Sequence, residues 1–455
     1  MKKLAFLFLL MNIYSVSIAQ YSWQPVGGGI GTNASHSCQS LITDSIGGQL
    51  FVGGRFILID DSIECSSIGI WNGTNWSTNT SPGVSLISAI LCFYNGHLYS
   101  AFSDGNSCLL SRFDTGINWL LEATINAPVY SLCVYHNKLY VGGEFTMVNG
   151  IPAKCLASYD GTSWSEVGGG VDWTQACCAD VRALHVWNDK LYVGGTFDKV
   201  GNLDSTNSIA CWNDTAWSRL GTGLIQTAPV PNAYVYAIED YNDEIYVGGI
   251  INQAGATPVN GICRWMNGAW YDVGGGLDGT PKVNCLLNKD GYLYIGGGFG
   301  SAGGLSYTNG ICKWDGVNFS SVGGADLHFG GYVNCMAEYN DDLYIGGNFP
   351  QIGSVVARNI ARYGLINSVN EVSETEFSLY PNPATDNLQL QWSDLQVTEI
   401  NVTDITGRTL QTQTIAEQPN SQFSIINCQL FSPGIYLLTL KTKDGKRVVK
   451  KFVKE

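Results

Sequence analysis

Five histidines are spread over 455 residues: His36, His97, His136, His185 and His328. No pair forms HExxH or another helical metal spacing, and no CxxC occurs. His97 and His136 stand in or beside hairpin turns, where a solvated polar side chain is expected. GxSxG is absent, so no nucleophile elbow is encoded, and the GGG runs lack the following helix and Lys of a phosphate cradle. Asp60-Asp61 with Glu64 is a thin calcium set that departs from the DxDxDG pattern. Glycoside cleavage needs two carboxylates, and Asp172, Asp180 and Asp204 on variable loops are acids that folding could assemble. The remaining groups suited to chemistry are aromatic. Trp173, His328 and Phe329 lie in variable stretches, and aromatic faces in a polar rim suit a sugar ring or a protein anchor. No catalytic residue, metal or cofactor is assigned, and binding is favoured over catalysis.

A repeat must position these groups. LYVGGTF at 191–197 has close copies, LFVGGRF from Leu50, LYVGGEF from Leu139 and LYIGGNF from Leu343. Copies start at Leu50, Leu98, Leu139, Leu191, Ile245, Leu293 and Leu343, spaced by 48, 41, 52, 54, 48 and 50 residues. The second, LYSAFSD, has lost its glycines. Periods of this length with Gly and Trp signatures belong to propellers. Each period offers four strand-sized pieces, exemplified by 181–186, LYVGG, 209–212 and 164–167. The turns between the last two pieces, Asn72-Gly73, Asp160-Gly161 and Asp315-Gly316, favour two-residue hairpins in which both central positions take positive φ. Four antiparallel strands in sequence make one blade. Gly inside a strand marks close backbone approach, so paired glycines would relieve crowding near a central axis. Tryptophans further out would fill the widening gap between blades.

The seventh copy ends at Ile360-Ala361-Arg362-Tyr363 without a fourth strand. Tyr21-Ser22-Trp23-Gln24-Pro25-Val26-Gly27-Gly28-Gly29 matches the fourth-strand pattern Trp270-Tyr271-Asp272-Val273-Gly274-Gly275-Gly276, so the beginning of the chain supplies the missing strand. The expected fold is all-β: a seven-bladed β-propeller closed by the N-terminal strand, followed by a small C-terminal β-sandwich. LYVGGxF…G…IAxWDGxxW resembles the repeats of secreted bacterial propellers and is similar to cortical polarity-marker propellers. The likeness covers about 21–364 and implies fold, since propellers host hydrolases, lyases, oxidases and inert scaffolds alike.

Export is written at both ends. Lys2 and Lys3 precede an apolar run from Leu4 to Leu10, and Ser17-Ile18-Ala19 offers a small-residue cleavage site, so 1–19 reads as a signal peptide. No later run of eighteen apolar residues exists, so no membrane-spanning helix is expected. Between 21 and 370 there are 28 acidic and 14 basic residues, a charge of −14 that disfavours nucleic acid as a partner. Fourteen cysteines are permitted disulfides outside the cell. Cys263, Cys285, Cys312 and Cys335 occupy small-residue slots of the repeat and read as buried thiols. Cys177-Cys178 and the couple Cys38 and Cys65 are the candidates for bridges, with pairing open.

After a polar linker at 365–377, short alternating stretches suggest a small sandwich over 378–455. Tyr380-Pro381-Asn382-Pro383, then Asp404 and Gly407 within VTDITGR, then Pro433-Gly434 and Tyr436, resemble the type A C-terminal sorting domain of Bacteroidetes type IX secretion. That resemblance implies recognition by the secretion machinery in the outer membrane and a secreted or outer cell-surface destination after passage through the periplasm. The expected division is 1–19 signal peptide, 20–364 propeller, 365–377 linker and 378–455 sorting domain. The expected function is a non-catalytic module binding glycan or surface protein. The alternatives are a hydrolase or lyase acting on extracellular polysaccharide and a structural scaffold.

Overall fold

The computed structural model describes residues 21–455 apart from 32–35, 45–47, 79–87, 115–118, 175–177, 228–232, 328–329, 366–376, 393–395, 405–408, 416–422 and 444–446. The proposed signal peptide and most of the linker therefore lie outside the described residues. The chain divides into two compact units, 1–365 and 366–455. All regular structure among the described residues is β, in small antiparallel sheets.

In the first unit seven sheets open on the strands Ser37–Asp44, Ser88–Tyr94, Val129–Tyr135, Asp180–Trp187, Tyr234–Tyr241, Lys282–Lys289 and Tyr332–Tyr339. Strands then pair in chain order, as Asp180–Trp187, Lys190–Thr196, Ile209–Trp212 and Trp217–Arg219 do in the fourth sheet. The seventh sheet takes its outer strand from the start of the chain: Tyr21–Pro25 pairs with Ile360–Leu365, Trp23 opposite Tyr363. Each opening strand lies beside that of the next sheet, and Tyr332–Tyr339 of the seventh lies beside Ser37–Asp44 of the first.

Repeated side-chain bonds bind neighbouring sheets. The tyrosine ending an opening strand donates to a turn carbonyl of the following sheet: Tyr94 to Asn137 (3.0 Å), Tyr135 to Asp189 (3.0 Å), Tyr241 to Gly291 (2.8 Å) and Tyr339 to Gly48 (2.7 Å). Fourth-strand tryptophans donate backwards: Trp217 Nε1 to Gly168 O (3.1 Å), Trp270 Nε1 to Leu220 O (2.9 Å), Trp76 Nε1 to Val26 O (3.0 Å) and Trp23 Nε1 to Val322 O (2.8 Å). The bonds of Tyr339 and Trp23 link opposite ends of the chain in the same manner as their sister residues link successive sheets.

Glycine works differently at the two positions of each pair. A Cβ on Gly194 or Gly248 would strike Val235 or Val283 of the next sheet, the crowding expected from the sequence. A Cβ on Gly195, Gly297 or Gly347 would instead strike the carbonyl of Asp180, Lys282 or Tyr332 in its own sheet, where the opening strand bulges.

The hairpins correct another expectation. Two-residue turns with both central φ positive join the first and second strands, at Asn188-Asp189, Asn242-Asp243 and Asn340-Asp341. The third and fourth strands are joined by four residues, because Trp71 pairs with Trp76 and Tyr159 with Trp164. Asn72 Oδ1 accepts the N–H groups of Thr74 and Asn75 at 3.0 and 2.8 Å, and Asp160 Oδ1 accepts those of Thr162 and Ser163 at 2.8 Å. Only the Gly of each dipeptide has positive φ, since the side chain closes the turn in place of a second left-handed residue.

A Cys38–Cys65 bridge is not formed. Both thiols are free, because Cys38 turns into the seam with the seventh sheet, where its Sγ lies 3.5 Å from that of Cys335. Cys177 lies outside the described residues. Cys263, Cys312 and Cys335 are buried as expected, and Cys285 is half-buried.

The second unit holds two antiparallel sheets. One orders Phe377–Tyr380, Asn387–Trp392 and Phe423–Asn427; the other orders Thr409–Thr414, Val397–Asp404, Gly434–Thr442 and Arg447–Lys454. Their alternating apolar residues, among them Leu388, Leu390, Ile400, Val402, Ile426, Leu438 and Phe452, make one core.

Candidate functional site

Bulges on the opening strands place the most concentrated set of polar groups. Six of the seven strands insert one extra residue into the pairing with their second strand: Gln39, Tyr130, Arg182, Tyr236, Asn284 and Asn334. A bulge leaves that residue out of the ladder and re-aims its side chain. All six line a single cavity of about 650 Å³, to which Ile90 of the unbulged second sheet also contributes. Every one of the seven sheets therefore supplies at least one wall residue.

The cavity joins cations to aromatic faces. The Arg182 guanidinium lies 4.4 Å from the Tyr130 ring centroid and 5.5 Å from that of Tyr236, and Lys282 Nζ lies 4.5 Å from that of Tyr236. Arg182 Nη2 donates to Asp180 at 2.8 Å, while its buried Nε has no acceptor and neither has the buried Gln39 Oε1 a donor. Burial, and then the Arg182 charge, lower the Lys282 ammonium below its ordinary value. Burial opposes the Arg182 charge, but Asp180 leaves its pKa raised. Burial pushes the Tyr130 phenol up to about 12 and also raises Tyr236. Asn284 Nδ2 donates to Val333 O at 2.9 Å and Asn334 Nδ2 to Cys38 O at 2.9 Å, which fixes these amides between sheets.

Two cations held against aromatic rings, with an unfilled donor, can receive an anionic oxygen group and stack a ring beside it. Glu144 is the one carboxylate among the described residues lining the cavity, whereas hydrolysis of a glycoside by paired acids needs two.

The acids singled out from the sequence are engaged elsewhere. Asp172 accepts Lys154 Nζ at 2.9 Å, Asp204 lies 2.9 Å from Lys199 Nζ, and Asp180 serves Arg182 and the Thr196 N–H. Asp60 Oδ1 accepts the Gly28 N–H at 2.6 Å and Asp61 pairs with Arg358. Trp173 is half-buried against the core shared by the third and fourth sheets and does not line the cavity. His328 and Phe329 lie outside the described residues. One described group has the composition to hold a cation: His185, Glu239 and Asp240, whose ligand atoms lie within 4.8 Å of one another. Its His185 Nε2 is 2.9 Å from Asp240 Oδ1.

Sequence reading missed the cavity because it sought ligand residues in loops. The bulge residue is the variable position between two apolar ones, as in Val181-Arg182-Ala183 and Val235-Tyr236-Ala237, and that interruption of strand alternation was the available signal.

In the second unit, Asn382 Oδ1 accepts the Val453 N–H at 2.9 Å, tying 380–383 to the last strand. Asp404 stands opposite Tyr436 in the strand pairing, and Tyr436 OH donates to Ser432 O at 2.7 Å across Pro433 and Gly434. The Tyr436 ring stacks between Phe431 and Phe452, with centroids 5.2 and 5.6 Å away. Tyr380 is exposed, and Gly407 lies outside the described residues.

Residues 378–455 match the family model of the secretion system C-terminal sorting domain. No curated protein matches the chain. Among solved structures, the chain is similar to the AfRom2 CNH domain, at 9% identity and TM-score 0.41 over 76% of this chain and 100% of that one. It is also similar to the extracellular domain of the one-component system BT4673 from B. thetaiotaomicron, at 10% identity and TM-score 0.22 over 96% and 99% of the two chains. The sorting domain identifies an exported protein that is secreted or held at the outer cell surface and that engages the type IX secretion machinery. No described helix is long and apolar enough to cross a membrane.

Proposed function

We propose that residues 20–364 form a seven-bladed β-propeller whose axial cavity binds a ligand carrying an anionic group, such as an acidic glycan, outside the cell. Residues 1–19 act as the signal peptide, 365–377 as linker, and 378–455 as a sorting β-sandwich read through Tyr380, Pro381, Asn382, Pro383, Asp404, Gly407, Pro433, Gly434 and Tyr436. Closure of the propeller is supported by the Tyr21–Pro25 outer strand and by the Trp23 and Tyr339 bonds, which repeat across the chain ends what other sheets do in sequence. The binding reading rests on one observation: Arg182 and Lys282 brought against Tyr130 and Tyr236 in a cavity walled by all seven sheets.

Binding of the full exported chain to an array of uronate-bearing, sulfated and neutral glycans tests it. Acidic glycans are expected to bind, with loss on Arg182→Ala/Lys282→Ala. Selection of neutral glycans, or retention by that variant, would overturn the ligand class. A single carboxylate among the described lining residues favours binding over the paired-acid hydrolase alternative.

A further inference from the structure

The seam between the seventh and first sheets differs chemically from the other seams. In four others, a Cβ placed on the first glycine of a pair would meet a valine of the next sheet: Val181 over Gly142, Val235 over Gly194, Val283 over Gly248 and Val333 over Gly296. Beneath that valine lies a small residue of the glycine's own sheet, such as Ser131, Ala237 or Cys285. Over Gly346 both slots are cysteine: Cys38 replaces the valine and Cys335 the small residue. Cys285, which fills the small slot over Gly296, lies within electrostatic reach of Cys38 and Cys335. At this seam the two sulfurs come into contact, with Sγ atoms 3.5 Å apart, and they stand 297 residues apart in the chain. Cys38 is fully buried and Cys335 is 9% exposed.

We propose that Cys38 and Cys335 are a disulfide site that covalently joins the first and seventh sheets after export. This seam is where one is useful, because successive sheets are held by short connections and these two are not. Cross-linking so long a loop removes more freedom from the unfolded chain than a short one does. An S–S bond of about 2.05 Å needs the sulfurs to approach by roughly a further 1.5 Å. The oxidant is a thiol–disulfide oxidoreductase of the cell envelope. One cysteine thiolate attacks its disulfide and expels one of its thiolates. The second cysteine thiolate then attacks the mixed disulfide and expels the other. The bridge forms, two electrons pass to the oxidant, and the two thiol protons end on its dithiol. Burial holds the Cys335 thiol well above its ordinary value, so exchange belongs to the stage before the seam packs.

Trypsin places the relevant cysteines on separate peptides: Cys38 on the one ending at Arg55, Cys285 on 283–289 and Cys335 on 314–358. The full chain is collected from outside the cells, its free thiols are blocked under denaturing conditions without reductant, and it is digested and mapped by mass spectrometry. The expected result is a 283-independent species linking the first and third of these peptides, released by reductant. Blocking of both thiols, or a Cys285–Cys335 link, overturns the proposal. A Cys38→Val/Cys335→Ala variant carries the residues of the sister seams. Reductant should lower the denaturation midpoint of the wild type and leave that of the variant unmoved. Equal responses in both proteins would also overturn it.

Discussion

Arg182 shows how much one inserted residue can decide. It stands between Val181 and Ala183, which continue the strand, and it leaves the ladder to face two tyrosine rings. If the cavity takes an anionic group, Arg182→Ala should weaken acidic-ligand binding about 10- to 100-fold, the worth of a charged hydrogen bond, as read by titration calorimetry. Arg182→Lys should recover part of this, since it restores charge without the planar fork. Glu239 carries a separate prediction. Burial, then the Asp240 charge, push its carboxyl up to about 8 from an ordinary 4.5. Between those values the unfolded chain releases a proton that the folded chain keeps, so stability falls as pH rises from about 4.5 to 8. His185 opposes this, because burial lowers its pKa and its share of stability grows as pH rises toward 6.5. Glu239→Gln should abolish the fall, worth on the order of 3 kcal/mol, in denaturant melts at pH 5 and pH 8.5.

At the scale of the strand, the bulge and the second glycine form one device. The bulged strand brings the Tyr332 carbonyl against the place where a side chain of residue 347 would stand. Gly347→Ala should therefore cost about 3 kcal/mol or more in thermal or chemical unfolding, among the larger losses single substitutions cause. The first-position change Gly248→Ala meets Cγ1 and Cβ of Val283, a stiff β-branched side chain of the next sheet, and should also destabilise, here by forcing the two sheets apart. The four-residue turns yield a milder case. Asp160→Ala removes the acceptor of the Thr162 and Ser163 N–H groups and should lower the unfolding midpoint slightly without altering the strand pairing.

At the scale of the molecule, the two units make separable predictions. Deletion of 378–455 should leave the protein in the periplasm, detected by fractionation and immunoblot; normal appearance outside the cell would contradict the sorting role. Deletion of 20–29 should remove the outer strand and the Trp23 bond of the seventh sheet while leaving export intact. The resulting fall in the unfolding midpoint would separate the role of that strand in folding from any role in secretion.

The period, the missing outer strand and the sorting motif of the tail were legible in the sequence because they are local signals. Spacing near fifty residues gave the repeat, Trp23 and its neighbours matched a missing outer strand, and the tail carried its motif in order. The all-β class, the placement of paired glycines at close approaches and the packing role of the tryptophans follow from such patterns. The cavity was not legible, because a bulge is a mismatch between two strands and appears only when both are paired. Cys38 and Cys335 were likewise read one repeat at a time, and their proximity depends on bringing residues 297 positions apart to one seam. Local propensity can specify a strand or a turn. Which side chains meet at the centre is decided by the registration of seven sheets against each other, and no short window of sequence contains that.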